Sequence, residues 1–176
     1  AWLHNRFYKI RLSPVLSFFE GTKFVTVNDA IEHINRKTEG DFVIRLEQSI
    51  PSAGTIKTIQ GTGKTITIGS YKGVSRTLNF TGTFIVDGGE VTVKDVTLCN
   101  SATANASVTL KNGAVVTLSD TSINALTAPA GTKVIIANDV DKEVDVTIMG
   151  TAKCLGDFVM EDGTVLNCKG ALTAGN

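Results

Sequence analysis

The sequence is poor in the residues that most often announce a function. Its 176 residues include two histidines, three cysteines, three prolines and one tryptophan. Lysine plus arginine number 17 and aspartate plus glutamate 17, so the formal net charge is zero. A neutral chain has no long-range field to gather DNA, RNA or an anionic membrane, and no nucleic-acid partner is expected. No apolar run approaches the roughly 18–20 residues that a membrane span needs, so no membrane insertion is expected. Cys99, Cys154 and Cys168 fit neither a zinc spacing nor a disulfide framework. Reduced, partly buried thiols are the preferred reading, with a Cys154–Cys168 bridge left open. His4 and His33 have no Ser, Cys or Asp neighbour at triad spacing, which argues against nucleophilic catalysis. The start of the chain lacks the basic, apolar and small-residue segments of a secretory signal and reads as mature, trimmed or a fragment.

What is present points to strands. Apolar residues make up 42% and charged residues 19%, a balance that folds rather than stays disordered. Thr, Val and Ile are stiff at a branched β-carbon and suit pleated strands, while Gly supplies corners. When the chain is slid against itself until Ile66 lies on Val91, Val91 in turn lies on Val116. At that offset Ile68, Val93 and Leu118 align, with Cys168 further on. Leu98, Ile123 and Ile148 form another column, and Ile85, Leu110, Ile135 and Met160 a fourth. Gly63, Gly88, Gly113 and Gly163 mark a corner, where Asn138 fills the missing place; Gly and Asn share a tolerance for positive φ. Within each unit, segments such as Val91-Thr92-Val93 alternate apolar and polar with period two. A fixed period with short strands predicts a solenoid whose inward columns form one aliphatic core.

The stretch from Gly88 to Leu98, Gly-Gly-Glu-Val-Thr-Val-Lys-Asp-Val-Thr-Leu, resembles coils of surface adhesin-like repeat proteins in the pectate-lyase-like superfamily. The resemblance covers residues 60 to 176. It implies a right-handed parallel β-helix with coils of about 25 residues, within the range of solenoid repeats. By the same resemblance, a short amphipathic helix caps the N-terminal end: Asn28 would be its N-cap, Ala30, Ile31 and Ile34 its inner face, and Gly40 its stop. Three segments result: an aromatic and basic segment at 1–23, a cap at 24–59 and coils from 60 to 176. In the first, Trp2, Phe7, Tyr8, Phe18 and Phe19 with Arg6, Lys9 and Arg11 are expected to dock on the solenoid. The C-terminal residues show no cap, so either the chain continues or another subunit covers that end by self-association.

Candidate chemistry is sparse. Asp139, Asp141, Glu143 and Asp145 would share one side of an extended strand, where a hard cation such as calcium is the one cofactor to weigh. On a straight strand such carboxylates lie about 7 Å apart, which favours a solvated or looped-out turn. Asp95, Asp120 and Asp145 form an evenly spaced column at a corner, where turn formation explains each. Thr67, Thr92 and Thr117 make an outward column continued by Lys142 and Asn167, and Thr97, Ser122 and Thr147 make a second. Gly61-Thr62-Gly63-Lys64-Thr65 resembles the end of a phosphate loop without its upstream glycine. Asn79-Phe80-Thr81 and Asn105-Ala106-Ser107 fit the glycosylation pattern. The expected function is therefore a non-enzymatic, extracellular or cell-surface module that binds carbohydrate or protein, or acts as a spacer. Thr67, Thr92, Thr117, Asp139, Asp141, Glu143 and Asp145 are its candidate surface. The alternatives are a lyase-like polysaccharide-active enzyme using residues 139–145, and a structural subunit of a fibre or assembly.

Overall fold

A computed structural model describes residues 7–12, 18–19, 22–24, 26–100, 106–139 and 142–175; at 7–12, 18–19 and 22–23 it describes the backbone alone. The docking of the aromatic side chains of the first segment therefore lies outside the described residues, as do His4, Asn105 and Asp141. Strand β1 (Phe7–Leu12) is followed by a short antiparallel pair, β2 (Phe18–Phe19) and β3 (Thr22–Lys23). Helix α1 (Val27–Asn35), β4 (Gly40–Leu46) and β5 (Ile59–Gln60) come next. Five coils of three strands complete the chain. The first holds β6 (Lys64–Ser70), β7 (Arg76–Phe80) and β8 (Phe84–Asp87). The second holds β9 (Glu90–Lys94), β10 (Val96–Asn100) and β11 (Val108–Lys111). The third holds β12 (Val115–Ser119), β13 (Thr121–Ile123) and β14 (Leu126–Ala128). The fourth holds β15 (Lys133–Ile136), β16 (Val146–Ile148) and β17 (Ala152–Cys154). The fifth holds β18 (Asp157–Met160), β19 (Leu166–Cys168) and β20 (Leu172–Ala174).

Each coil gives one strand to each of three parallel sheets. The first sheet runs β1-β4-β6-β9-β12-β15-β18, the third β5-β8-β11-β14-β17-β20, and the second is made of β7-β10 and β13-β16-β19. The result is a parallel β-solenoid of about 5 turns of about 24 residues, with one helix near the N-terminus. Stacking places Phe42, Ile66, Val91, Val116 and Val134 in one column, each at most 1% exposed. Burying such a side chain contributes about 1.5–3 kcal/mol, so the columns supply the main driving force of the fold.

The repeat period holds for part of the chain and then breaks. Val91 pairs with Val116 at the full period, but Val116 pairs with Val134, well short of it. The step from the second to the third sheet runs from Val96 to Val108 in one coil and only from Thr121 to Leu126 in the next, a deletion of seven. The coil after that restores them. Its step from the first to the second sheet runs from Val134 to Val146, where the coil before it went from Val116 to Thr121. Ile123 therefore still pairs with Ile148 at the full period, because the two changes cancel. Ile135, expected inside, instead pairs with Thr117 on the outer face and is half-exposed, while Ile136 fills the column of Ile68, Val93 and Leu118. Leu110 is inside as expected, but its register partner is Val86 rather than Ile85. Cys168 belongs to the column of Ile148, and Gly131 (φ 83°), not Asn138, continues the corner of Gly63, Gly88 and Gly113.

The cap helix forms where expected but begins differently. Thr26, not Asn28, is the N-cap, its hydroxyl accepting the Asp29 N–H at 3.0 Å. Asn28 sits inside the first turn and staples the helix to the segment below it. Its amide donates to the carbonyls of Ala53 and Thr55 at 3.2 and 2.8 Å and accepts from the Lys57 N–H at 2.9 Å. Asn35, two turns on and on the same face, does likewise with Thr58 and Gln60. Val27, Ala30, Ile31 and Ile34 turn inward and close the core.

Among the described residues no further coil covers the inward side chains of the fifth coil. Met160 is 43% exposed where Ile136 before it is 0%, and Leu172 is 44% exposed where Ala152 is 0%. Leu110→Ala is expected to cost about 2–5 kcal/mol in urea unfolding, from lost burial and the cavity left behind. Ile135→Thr, on the outer face, is expected to stay within about 1 kcal/mol of wild type. Equal losses from the two changes would refute the register.

Candidate functional site

Three features of the outer surface bear side chains with chemistry. The first is the corner between the first and second sheets. Asp95 and Asp120 each occupy the residue between two strands with positive φ, 57° and 43°, a conformation that Asp tolerates and that makes the sharp bend. The described part of the inserted segment, residues 137–139 and 142–145, folds back onto this corner. Its Asp139 brings a carboxylate oxygen to within 4.8 Å of those of Asp95 and Asp120, and the Lys142 ammonium lies 3.2 Å from Asp120 Oδ2. Asp145 holds the backbone position in the stack, one residue before Val146 as Asp120 is before Thr121, yet its carboxylate turns inward. There it accepts the N–H groups of Asp139 at 2.5 Å and Val165 at 2.7 Å. The expected row Asp95, Asp120, Asp145 thus becomes Asp95, Asp120, Asp139, with Asp145 as the latch beneath.

The described residues of 137–145 form no strand, so the one-sided row of Asp139, Asp141, Glu143 and Asp145 does not form. Asp139 and Asp145 are brought together, Glu143 is exposed on the loop, and Asp141 lies outside the described residues. Burial, with Asp95 only 6% exposed, is the main cause that pushes its carboxyl up to about 6; a hydrogen bond with Asp120 and the charges of Asp120 and Asp139 add to it, and Lys94 opposes it. Asp120 in turn holds the Lys142 ammonium above the usual lysine range.

The second feature is the outer row of the first sheet. Thr67, Thr92 and Thr117 are neighbours in register, as expected. The row continues into Ile135 and Val159 rather than Lys142 and Asn167, and Val43 precedes Thr67, so apolar residues flank the threonines on either side.

The third is the outer face of the second sheet. Thr77 pairs with Thr97, and Ser122 with Thr147 and, beyond it, Asn167. The Thr121 hydroxyl donates to the Val96 carbonyl and ties the two pieces of this sheet together. The result is a polar row, a ladder in two pieces, Thr77 with Thr97 and Ser122 with Thr147 and Asn167, with paired strands about 4.8 Å apart within each piece. Between the pieces Ala106 donates its N–H to the Leu98 carbonyl and accepts the Asn124 N–H. Spacing alone showed Thr97, Ser122 and Thr147; Thr77 escaped because it stands closer to Thr97 in the chain than the period allows. At its N-terminal end the ladder opens into a groove of about 570 Å³ between residues 48–51 and the side chains of Arg76, Thr77 and Asn79. The groove exists because segment 49–55 runs beside β7: Ile50 N–H donates to Thr77 O at 2.8 Å and the Ser49 hydroxyl accepts the Thr77 N–H at 3.0 Å. Nothing in the sequence singled out Arg76.

Other sequence candidates take structural roles. Lys64 of the phosphate-loop-like stretch is buried at a coil corner, its ammonium donating to the Gln60 carbonyl at 2.6 Å, and burial lowers its pKa. The Asn79 amide donates to the Pro51 carbonyl at 3.0 Å. His33 packs edge-on against Phe24, with ring centroids 4.9 Å apart. Cys99, Cys154 and Cys168 are all free thiols, Cys154 buried and the other two partly so. No family model, no curated protein and no solved structure matches the chain.

The acid corner carries a pH prediction. The Asp95 carboxyl has a folded pKa of about 6 against an ordinary 3.8, so between these values the folded state binds the extra proton. Its stabilising share is fully present below 3.8 and is lost as pH rises through 6. Asp95→Asn is expected to remove this slope and to gain on the order of 3 kcal/mol over wild type at pH 8, measured as the difference between the two unfolding curves. Parallel curves from pH 4 to 8 would show that Asp95 is not buried beside its neighbours.

Proposed function

We propose that the chain is a non-enzymatic binding module, an adhesin-like solenoid of the extracellular space or cell surface, of the right-handed pectate-lyase-like type. Its ligand, a carbohydrate or a protein, lies along the outer face of the second sheet. The observation that carries this reading is the outward polar row Thr77, Thr97, Ser122, Thr147 and Asn167, in two paired pieces, ending in an open groove. Hydroxyl and amide groups at a fixed spacing on a rigid sheet suit an extended, hydroxylated ligand, because little conformational freedom is lost by the protein on binding. Affinity electrophoresis in gels of acidic and neutral polysaccharides tests it. Retardation by at least one polymer is expected, and Ser122→Arg, which blocks the middle of the ladder, is expected to abolish it with melting unchanged. Free migration in every gel would remove the carbohydrate half of the reading and leave a protein ligand or a spacer role.

A second reading, the lyase-like enzyme, draws on the Asp95, Asp120 and Asp139 corner. A buried carboxyl held beside further carboxylates is an arrangement that acid–base catalysts use. Against it, Asp95 is buried and Lys142 already answers the charge, an arrangement suited to latching the 137–145 segment. A ligand that binds only the native state must raise its melting temperature. An unchanged melting curve in millimolar calcium is expected; a rise of several degrees would transfer the function to this corner.

A further inference from the structure

We propose that Arg76 anchors an anionic sugar, bearing a uronate carboxylate or a sulfate ester, in the groove at the N-terminal end of the ladder. The proposal rests on the carbohydrate reading of that face and adds the ligand's charge and its point of attachment. Arg76 opens β7 just after the corner loop, with its backbone N–H fixed on the Asp95 carbonyl at 3.0 Å. Its guanidinium forms no ion pair among the described residues, and its Nε is buried without an acceptor. Asp95, whose carbonyl holds the Arg76 backbone, does not claim the side chain. The Asp95 carboxyl is tied to Asp120 and influenced by Lys94, with no contribution from Arg76. Among the described residues no acidic side chain lines the groove.

A buried guanidinium N–H without an acceptor is costly, so turning the side chain onto an incoming oxyanion relieves that cost and adds charge-assisted hydrogen bonds. The planar fork fits both a carboxylate and a sulfate, whereas a lysine would meet either as a point charge. The rest of the groove matches a sugar ring. Gln48, Thr77 and Asn79 carry hydroxyl or amide groups, and Ile50 and Pro51 give an apolar wall for its C–H face. Single-stranded nucleic acid is the wrong chemistry here, because among the described residues no aromatic side chain lines the groove as a stacking platform.

The test is affinity electrophoresis of the full chain in gels containing polygalacturonate, heparin or dextran, which separate the carboxylate, sulfate and neutral cases. One of the two anionic polymers is expected to bind more tightly than dextran. Arg76→Gln should weaken it about ten- to a hundredfold, the range of one or two charge-assisted bonds. Arg76→Lys, which keeps the charge without the fork, should fall between and guards against misfolding of the glutamine variant. Lys111→Gln, an exposed lysine on the third sheet, should leave binding unchanged. Equal losses from Arg76→Gln and Lys111→Gln would overturn the proposal in favour of diffuse electrostatics. Dextran binding as well as the anionic polymers, with Arg76→Gln without effect, would overturn it while leaving the carbohydrate-binding face intact. Retardation by none of the three would overturn this proposal together with that reading of the face.

Discussion

Parallel pairing between successive coils and burial of the inward columns are one constraint, and the rest of the molecule depends on it. A strand such as β9 takes backbone hydrogen bonds from β6 on one side and β12 on the other, and that register sets Val91 on Ile66 and Val116 on Val91. No coil encloses its own apolar side chains; each is covered by its neighbours above and below. The fifth coil shows the consequence, since Met160 occupies the same column as Ile136 but, with no strand over it among the described residues, is 43% exposed. At the other end α1 does the covering, held by amide hydrogen bonds from Asn28 and Asn35 to the edge that a further coil would otherwise pair with.

This constraint explains why the fold was legible in the sequence and where legibility failed. Columns that must stack leave a period, and Ile66, Val91 and Val116 kept it. Corners that need positive φ leave glycine, as at Gly63, Gly88 and Gly113. The period counts residues, however, whereas the structure counts rungs. A seven-residue deletion between the second and third sheets and a seven-residue insertion one coil later restored the count, so Ile123 and Ile148 aligned across a region where Ile135 was already out of step. Alternation within β15 gave no warning, because Ile135 and Ile136 are both apolar and either could have faced inward.

Site chemistry was legible only where it shared the repeat. Asp95 and Asp120 were visible as a column because the corner conformation demands such a residue. Asp139 stood out only as one of an acidic run, and its place at this corner was hidden because it reaches the corner from an insertion that has no counterpart in other coils. Thr97, Ser122 and Thr147 kept the period, while Thr77 and Asn167 stand closer than it to their partners Thr97 and Thr147 and join the ladder only in three dimensions. The groove beside Arg76 was still further from view. Its two walls come from distant parts of the chain that meet through the Ser49 hydroxyl and the Thr77 N–H.

The same constraint sets what each surface can do. A corner must turn, so Asp95 and Asp120 are committed to the bend and Asp145 to the inserted segment; Asp145 is 2% exposed and both of its oxygens are occupied. A sheet face turns nothing, so its outward residues are free of the fold's requirements as long as they tolerate a strand. Thr, Val and Ile meet that tolerance on the first sheet without adding chemistry. The second sheet departs from it at one end, where Arg76, in register with the buried Val96 rather than on the outward row, keeps an Nε without an acceptor beside an open groove. At the acid corner Lys142 lies against Asp120, and the Gln60 carbonyl accepts from the buried Lys64. A buried guanidinium Nε without an acceptor is a feature that stability does not account for. That asymmetry, more than the ladder beside it, locates the place where a ligand has something to add.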